Sequence, residues 1–459
     1  MKKSTILTAA VVLLSIMGGV YLAADTAPEQ SLTPTAQMAE IVGTGGCADC
    51  HTAEPSLPFY AAIPVAGDLV KKDAADGYRA FDVQPMMQSL ANNAKVSEVD
   101  LAKVEKVILD GTMPPAKYYM VHWGANVNGE EQQMALAWAK EARAKYYPNK
   151  LAASEFANET VRPIEDAVEV NPLKATLGEL LYHDTRLSVD NTVSCASCHG
   201  LNTGGVDNKQ YSEGVNGQKG GVNAPTVFNA HYNFVQFWDG RAETLAAQAA
   251  GPPLNPVEMA SASFDEICAK LKADAAFDKA FTAVYPDGIT EQNITDAIQE
   301  FERTLLTPNS SFDKYLKGDK TAISAEAIEG YNLFKKYDCA TCHVGENLGG
   351  RSYELMGIMA DYFADRGTEL TNEDNGRNKE TKLERDIHRF KVPGLRNVAL
   401  TAPYFHDGTQ STLDAAVGAM GKYEVGVNIP AAEIAKIVTF LNTLTGEYKG
   451  KVLTNDNLK

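Results

Sequence analysis

The sequence predicts a mainly α-helical protein organised as three domains, and three observations carry that expectation. Three Cys-x-x-Cys-His pentads stand about 140 residues apart. Stretches with helical spacing of apolar residues flank them. Strand patterns are scarce.

The pentads are Cys47-Ala48-Asp49-Cys50-His51, Cys195-Ala196-Ser197-Cys198-His199 and Cys339-Ala340-Thr341-Cys342-His343. Each is the attachment signature of a c-type haem. The two thiols form thioethers to the porphyrin vinyls, and the adjacent imidazole becomes the proximal iron ligand. The spacing lets one helical turn bring both sulfurs and the ring to one flat macrocycle. Structural zinc would need paired Cys-x-x-Cys units closing on one ion, whereas each pair here has its own histidine. Three covalently bound haem c groups are the expectation, with helices packed round each. Six of the seven cysteines are thereby used. The seventh, Cys268 in Phe264-Asp265-Glu266-Ile267-Cys268-Ala269, reads as a buried helix residue.

Residues 1–24 open on two lysines and then carry no charge. That run is long for the apolar region of a signal peptide and long enough to span a bilayer. No clean small-x-small cleavage site follows, since Leu22 would occupy the −3 position after Ala24. An uncleaved membrane anchor is therefore favoured over a cleaved signal. Either way the lysines stay inside and the rest is exported, which places the chain in the periplasm, where c-type haem is attached.

Residues 25–38 are polar with two prolines and read as a tether. Residues 39–147 form a first domain, with helices expected at 98–109 and 129–146. Residues 148–170 read as a linker. Residues 171–310 form the second domain, beginning with a helix at 172–181 and containing a Gly/Asn-rich loop at 200–223. Residues 311–448 form the third, with helices at 324–336 and 431–444. The net charge of −17, without basic clusters, argues against nucleic acid as a partner.

A haem that only carries electrons is six-coordinate, while one that does chemistry leaves a position open. For the first pentad the distal candidate is Met113 in Asp110-Gly111-Thr112-Met113-Pro114-Pro115, with His122, Met86, Met87 and Met120 as rivals. For the third it is Met420, with Met356 and Met359 competing. For the second, the loop 200–223 contains neither His nor Met, and His231 beyond it reads as structural. An iron without a nearby protein ligand marks a reaction site. Glu258, in the proline-rich stretch Asn255-Pro256-Val257-Glu258-Met259, is a candidate general acid/base.

Several stretches resemble the bacterial dihaem cytochrome c peroxidases. They are Leu187-Ser188 through His199, Gln218-Lys219-Gly220, Asn223-Ala224-Pro225-Thr226-Val227, Phe237-Trp238-Asp239-Gly240-Arg241 and Pro253 through Met259. Lys391-Val392-Pro393-Gly394-Leu395-Arg396-Asn397 and Thr401-Ala402-Pro403-Tyr404-Phe405-His406 complete the set. The N-terminal domain is similar to the extra haem domain of the membrane-anchored trihaem branch, the quinol peroxidases. The resemblance implies that His199 is the proximal ligand of the peroxidatic haem, and that His343 and Met420 ligate the electron-transferring one. It also implies Trp238 between these haems, Glu258 as acid/base and Gln248 as its distal-pocket partner. A calcium ion would bind the Asn223 side chain and the carbonyls of Thr401 and Pro403, largely through water.

One departure matters. Many family members carry a histidine in the loop that blocks the peroxidatic iron, and here that position falls at about Val215. An oxidised resting enzyme with an open site follows. Met420 argues against the MauG-like branch, which has a tyrosine there.

The implied activity is reduction of hydrogen peroxide to water. Electrons would enter at the first haem from quinol or from a small soluble carrier, a c-type cytochrome or cupredoxin. Two alternatives stay open: a non-catalytic multihaem conduit and a peroxide sensor. Homodimers are common in the family.

Overall fold

The computed structural model describes residues 26–119, 122 and 124–458, with positions 12, 15, 19 and 20 before them. The anchor or signal read over 1–24 falls almost wholly outside these residues. Among the described residues no helix is long and apolar enough to cross a membrane. The protein is mainly helical; its only sheets among the described residues are two antiparallel pairs, Tyr353–Leu355 with Arg389–Lys391 and Glu447–Tyr448 with Lys451–Val452.

The described chain falls into two compact units, one ending at Pro148 and one spanning Asn149–Lys459. In the first, helix Pro34–Thr44 packs on helix Gly129–Tyr146, and Glu98–Leu109 packs on the same partner. The helix starts are written locally. Ser97 accepts from the Asp100 amide, and Asn128 forms a reciprocal capping box with Glu131. Such caps contribute about 1 kcal/mol each. Met38, Ile41, Leu101, Ile108 and Trp138 fill the core. The tether read over 25–38 is shorter than expected, because Pro34 sits in a first helical turn, where proline has no amide to lose, and Met38 is buried.

In the second unit the helix leading to each pentad packs on a closing helix. Pro172–Tyr182 lies against Glu291–Glu302, and Ala325–Lys336 against Ala431–Asn442. Both crossings use a glycine at the point of closest approach. A Cβ at Gly178 would stand 1.9 Å from the Ala297 carbonyl oxygen, and one at Gly330 the same distance from that of Lys436. Ala327, Tyr331 and Phe334 form the buried stripe of the second pair at helical spacing.

The boundary expected at 310/311 does not divide this unit. A buried hydrogen bond crosses it: Asn397 donates to the Thr307 hydroxyl at 2.9 Å, the same oxygen that Asn229 reaches at 2.7 Å. Nor is 148–170 a free linker. Val161 and Ile164 are fully buried, Val161 bridges to Gly345, and Arg162 pairs with Glu346 at 2.9 Å. The chain also continues usefully past 448: Leu453 is buried, and Asn455 donates to the Thr203 carbonyl at 2.8 Å. Loop 200–223 is irregular as expected, with one short turn at Val215–Gly217.

Candidate active site

The second pentad forms a single helical turn, Cys195–Cys198, whose start is fixed by reciprocal hydrogen bonds between Ser194 and Ser197. Tyr182 donates to the His199 carbonyl at 2.6 Å, tying the pentad to the helix before it. His199 is half-buried, and desolvation of its ring pulls its imidazole below the usual range. Burial pushes the Cys198 thiol up to about 11 and Cys195 higher still. Thiols so desolvated are poor thiolate metal ligands.

One hydrophobic core joins this pentad to the residues expected to act there. Cys195 packs on a cluster that includes Val215, Ala249 and Met259, with Ala250 and Ala260 at its edge. Gln248 precedes Ala249 on helix Leu245–Ala249 and is half-buried. Glu258 precedes Met259 and is half-buried too. Its Oε1 accepts from Asn255 Nδ2 at 2.7 Å. Burial raises the Glu258 carboxyl above the ordinary carboxylate value, against the charge of Arg241 and the Asn255 hydrogen bond. The Glu258 charge in turn acts on both Cys195 and Cys198, so it lies on the side of the second pentad.

Position 215 is locked to this segment. The Val215 amide donates to the Glu258 carbonyl at 2.8 Å, and its side chain is buried. Gly214 allows that approach, since a Cβ there would stand 2.2 Å from the Val257 carbonyl oxygen. Trp238 is held at both ends: Nε1 donates to the Asn223 carbonyl at 2.9 Å, and its own carbonyl accepts from the Lys391 amide at 2.8 Å. Asn223 itself is buried, and its Nδ2 donates to the Lys209 carbonyl at 2.9 Å. The segments bearing Asn223, Thr401 and Pro403 meet, because the Asn223 amide donates to the His406 carbonyl and Asn208 Nδ2 to that of Ala402.

The other two pentads orient their histidines alike. His343 Nδ1 lies 2.9 Å from the Leu348 carbonyl oxygen, and His51 Nδ1 lies 3.1 Å from that of Phe81. A ring fixed through Nδ1 leaves Nε2 for a metal. Met113 is largely exposed, on a loop whose next residue, Pro114, comes beside Cys47 near Gly45. Its rivals have other work. His122 is bonded through both nitrogens, to the Tyr60 hydroxyl and the Tyr118 carbonyl, and Met86 is core. Met87 packs at the core's edge, and Met120 lies outside the described residues. Met420 ends helix Leu413–Met420, immediately before a π-turn at Gly421–Val425. Met359 is exposed against Gly426, while Met356 packs beside Trp238 and Phe390. His231 stands among Arg303, Arg351, Glu165 and Glu346, a structural setting.

Comparison with known proteins bears on this geometry. Cytochrome c peroxidase Ccp of Escherichia coli (strain K12) is 51% identical over 403 residues, covering 88% of this chain and 86% of that protein. The chain belongs to the di-haem cytochrome c peroxidase family. The family profile itself matches residues 172–321, and a haem-binding domain profile matches residues 19–141. Cytochrome c551 peroxidase of Nitrosomonas europaea is 47% identical over 63% of this chain and 85% of that one. Among solved structures, a MauG-like protein associated with microbial copper homeostasis superposes with a TM-score of 0.54, at 28% identity over 61% of this chain and 91% of that one. As a family member the chain is a haem peroxidase, an oxidoreductase. The pentads fit haem c: no disulfide ties up their cysteines, and the His51 and His343 rings are fixed through Nδ1.

Sequence reasoning missed a second acid of the second site. Glu302 is buried at the end of helix Glu291–Glu302, with Oε2 lacking a hydrogen-bond partner among the described residues. Its charge acts on Cys195 and Tyr182. The signal was its register, four residues after Ile298 on the apolar face. Burial lifts its carboxyl from 4.5 to about 8. The folded state therefore keeps a proton that the unfolded chain releases above about 4.5, and stability is lost as pH rises across that window. Glu302→Gln, neutral throughout, should gain in melting temperature over the parent progressively from pH 5 to pH 9. A difference flat with pH would show that the carboxylate has found a partner.

Proposed function

We propose that this chain reduces hydrogen peroxide to water in the periplasm, on a haem c held by the second pentad. The haems of the first and third pentads relay the electrons, which makes three haem domains and three haems in all. The observation that carries the reading is the second site itself. A half-buried carboxyl with a raised pKa lies close enough to the pentad for its charge to act on Cys195 and Cys198, and the blocking-loop position beside it is a buried valine bonded to that glutamate's own backbone.

Bound haem supplies the iron redox chemistry. Glu258 supplies proton movement: Asn255 holds Oε1, and Oε2 is left to take the proton from one peroxide oxygen and deliver it to the other. Gln248 offers an amide to orient the peroxide. Val215 offers no ligand and keeps its loop packed on the core. Two electrons and two protons convert each peroxide to two waters. Trp238, hydrogen-bonded between Asn223 and Lys391, gives electrons from the third pentad a rigid aromatic step. Met420 and Met113 would help hold the haems of the third and first pentads, where a thioether raises the potential. The Asn223 side chain and the carbonyls of Thr401 and Pro403 would hold a calcium ion, largely through water, that would brace the two loops.

Quinol is the favoured donor, because an N-terminal segment anchored in the inner membrane concentrates the enzyme at the bilayer. A basic cytochrome or cupredoxin drawn by the acidic surface is the competing donor. Electron paramagnetic resonance of the oxidised three-haem protein should show one high-spin and two low-spin irons. Three low-spin signals would remove the open site. Turnover with a reduced quinol analogue against reduced cytochrome c decides the donor.

A further inference from the structure

Among the buried cations of the described chain, one stands apart. Arg143 pairs with Glu105, Arg162 with Glu346, Arg389 with Asp386 and Arg396 with Asp313. Lys391 is equally buried, at 5% exposure, yet among the described residues no carboxylate lies within 4 Å of its ammonium. Burial is the sole influence on its pKa, which falls to about 8. An unpaired buried charge is costly, and native proteins resolve it with a counter-ion.

Its place in the fold says where that anion is. Lys391 ends strand Arg389–Lys391, opposite Tyr353 on the partner strand. The pairing continues towards the third pentad: Val392 bonds Ser352, and the Gly350 amide donates to the Val392 carbonyl at 2.8 Å. Two residues on, the backbone of Pro393 acts on the His343 ring, whose Nδ1 is already held by Leu348. The Lys391 amide meanwhile holds the Trp238 carbonyl. A haem c attached at Cys339 and Cys342 carries two propionate carboxylates, and among the described residues the protein itself supplies no carboxylate to the ammonium.

We propose that Lys391 is the internal counter-ion of a propionate on the haem attached at the third pentad. The inference rests on that pentad carrying a haem. The ion pair neutralises one negative charge beside the iron and so raises that haem's potential. It also secures the propionate to the strand that positions Trp238. Arginine at this position can keep the pairing, whereas methionine, of similar length, cannot.

The test uses the full-length holoprotein with Lys391→Met and Lys391→Arg. Haem count by intact and peptide mass comes first: a parent lacking only the first-pentad haem would overturn the three-haem reading and not this one, whereas a parent lacking the third-pentad haem would overturn both. With three haems present, Lys391→Met should lower the potential of the third-pentad haem alone in a spectroelectrochemical titration. It should shift that haem's propionate bending band in the resonance Raman spectrum and lower the melting temperature, and Lys391→Arg should restore all three. An unchanged potential and band, with melting temperature equal or higher, would overturn the proposal, since an unpaired buried lysine is better replaced by methionine. A shift confined to the second-pentad haem would overturn the assignment. If Lys391→Met does not accumulate, the parent's band decides: a free-propionate frequency for that haem defeats the proposal.

Discussion

Glu258→Gln is expected to lower peroxide turnover by about 10²–10⁴-fold, the range that a positioned proton shuttle contributes. The substitution keeps the shape of the side chain. Glutamine can still accept from Asn255 Nδ2 through its carbonyl oxygen, so the turn at 255–258 is retained. The backbone bond from Val215 to position 258 does not involve the side chain. What disappears is the ability to take and return a proton. The pH profile adds a second readout. Burial holds the Glu258 carboxyl above the ordinary carboxylate value, so the parent's activity should fall as pH drops through that raised value and the base fills. The variant's residual activity should lack this limb. Haem content and the oxidised spectrum should be unchanged. Turnover within tenfold of the parent, with the acid limb intact, would take Glu258 out of the chemistry.

Much of this site could be read before any coordinates because its chemistry is local. A pentad is five consecutive residues, and helices 98–109 and 129–146 announce themselves through Ser97, Asn128 and Glu131 as caps. Gln248 and Trp238 came from a resemblance alone, while Glu258 was a candidate from its proline-rich context to which the resemblance gave a role. What the structure adds is the core that gathers Cys195, Val215, Ala249 and Met259. The segment 148–170 was misread as a linker for a physical reason. Its buried residues Val161 and Ile164 show no helical or strand period, and their burial is created by Gly345 and Glu346, far along the chain. The boundary at 310 failed likewise, since the Asn229–Thr307–Asn397 hydrogen bonds join residues with no local signature. Lys391 is the sharpest case. A lysine beside Phe390 and Val392 reads as a solvent-facing strand position, yet all three residues of its strand are buried.

Arg396→Leu is expected to cost about 3–5 kcal/mol of stability, because it strands a buried carboxylate. Arg396 and Asp313 have fully buried side chains and meet at 2.7 Å. The guanidinium also donates to the Ser310 hydroxyl and to the carbonyls of Arg162 and Glu346, so every face of its fork is engaged. These partners come from the strap before the second pentad, the helix start at 310–313 and the turn after the third pentad. One side chain thus joins the stretch that the sequence reads as a linker to both sides of the boundary it reads at 310/311. Leucine removes the charge and leaves Asp313 with only the Ile164 and Ser310 amides as donors. For a unit spanning Asn149–Lys459 each kcal/mol moves the midpoint by roughly 1.5 °C, so a fall of about 5–8 °C is expected in thermal melting of the holoprotein. The double variant Arg396→Leu with Asp313→Leu provides the control. If the damage comes from the stranded charge, removing both partners should recover much of the loss, as buried ion pairs replaced by apolar residues commonly do. If the double variant is as unstable as the single, the damage comes instead from the lost links to Ser310, Arg162 and Glu346, and Arg396 acts as a hub of neutral hydrogen bonds and not as a counter-ion.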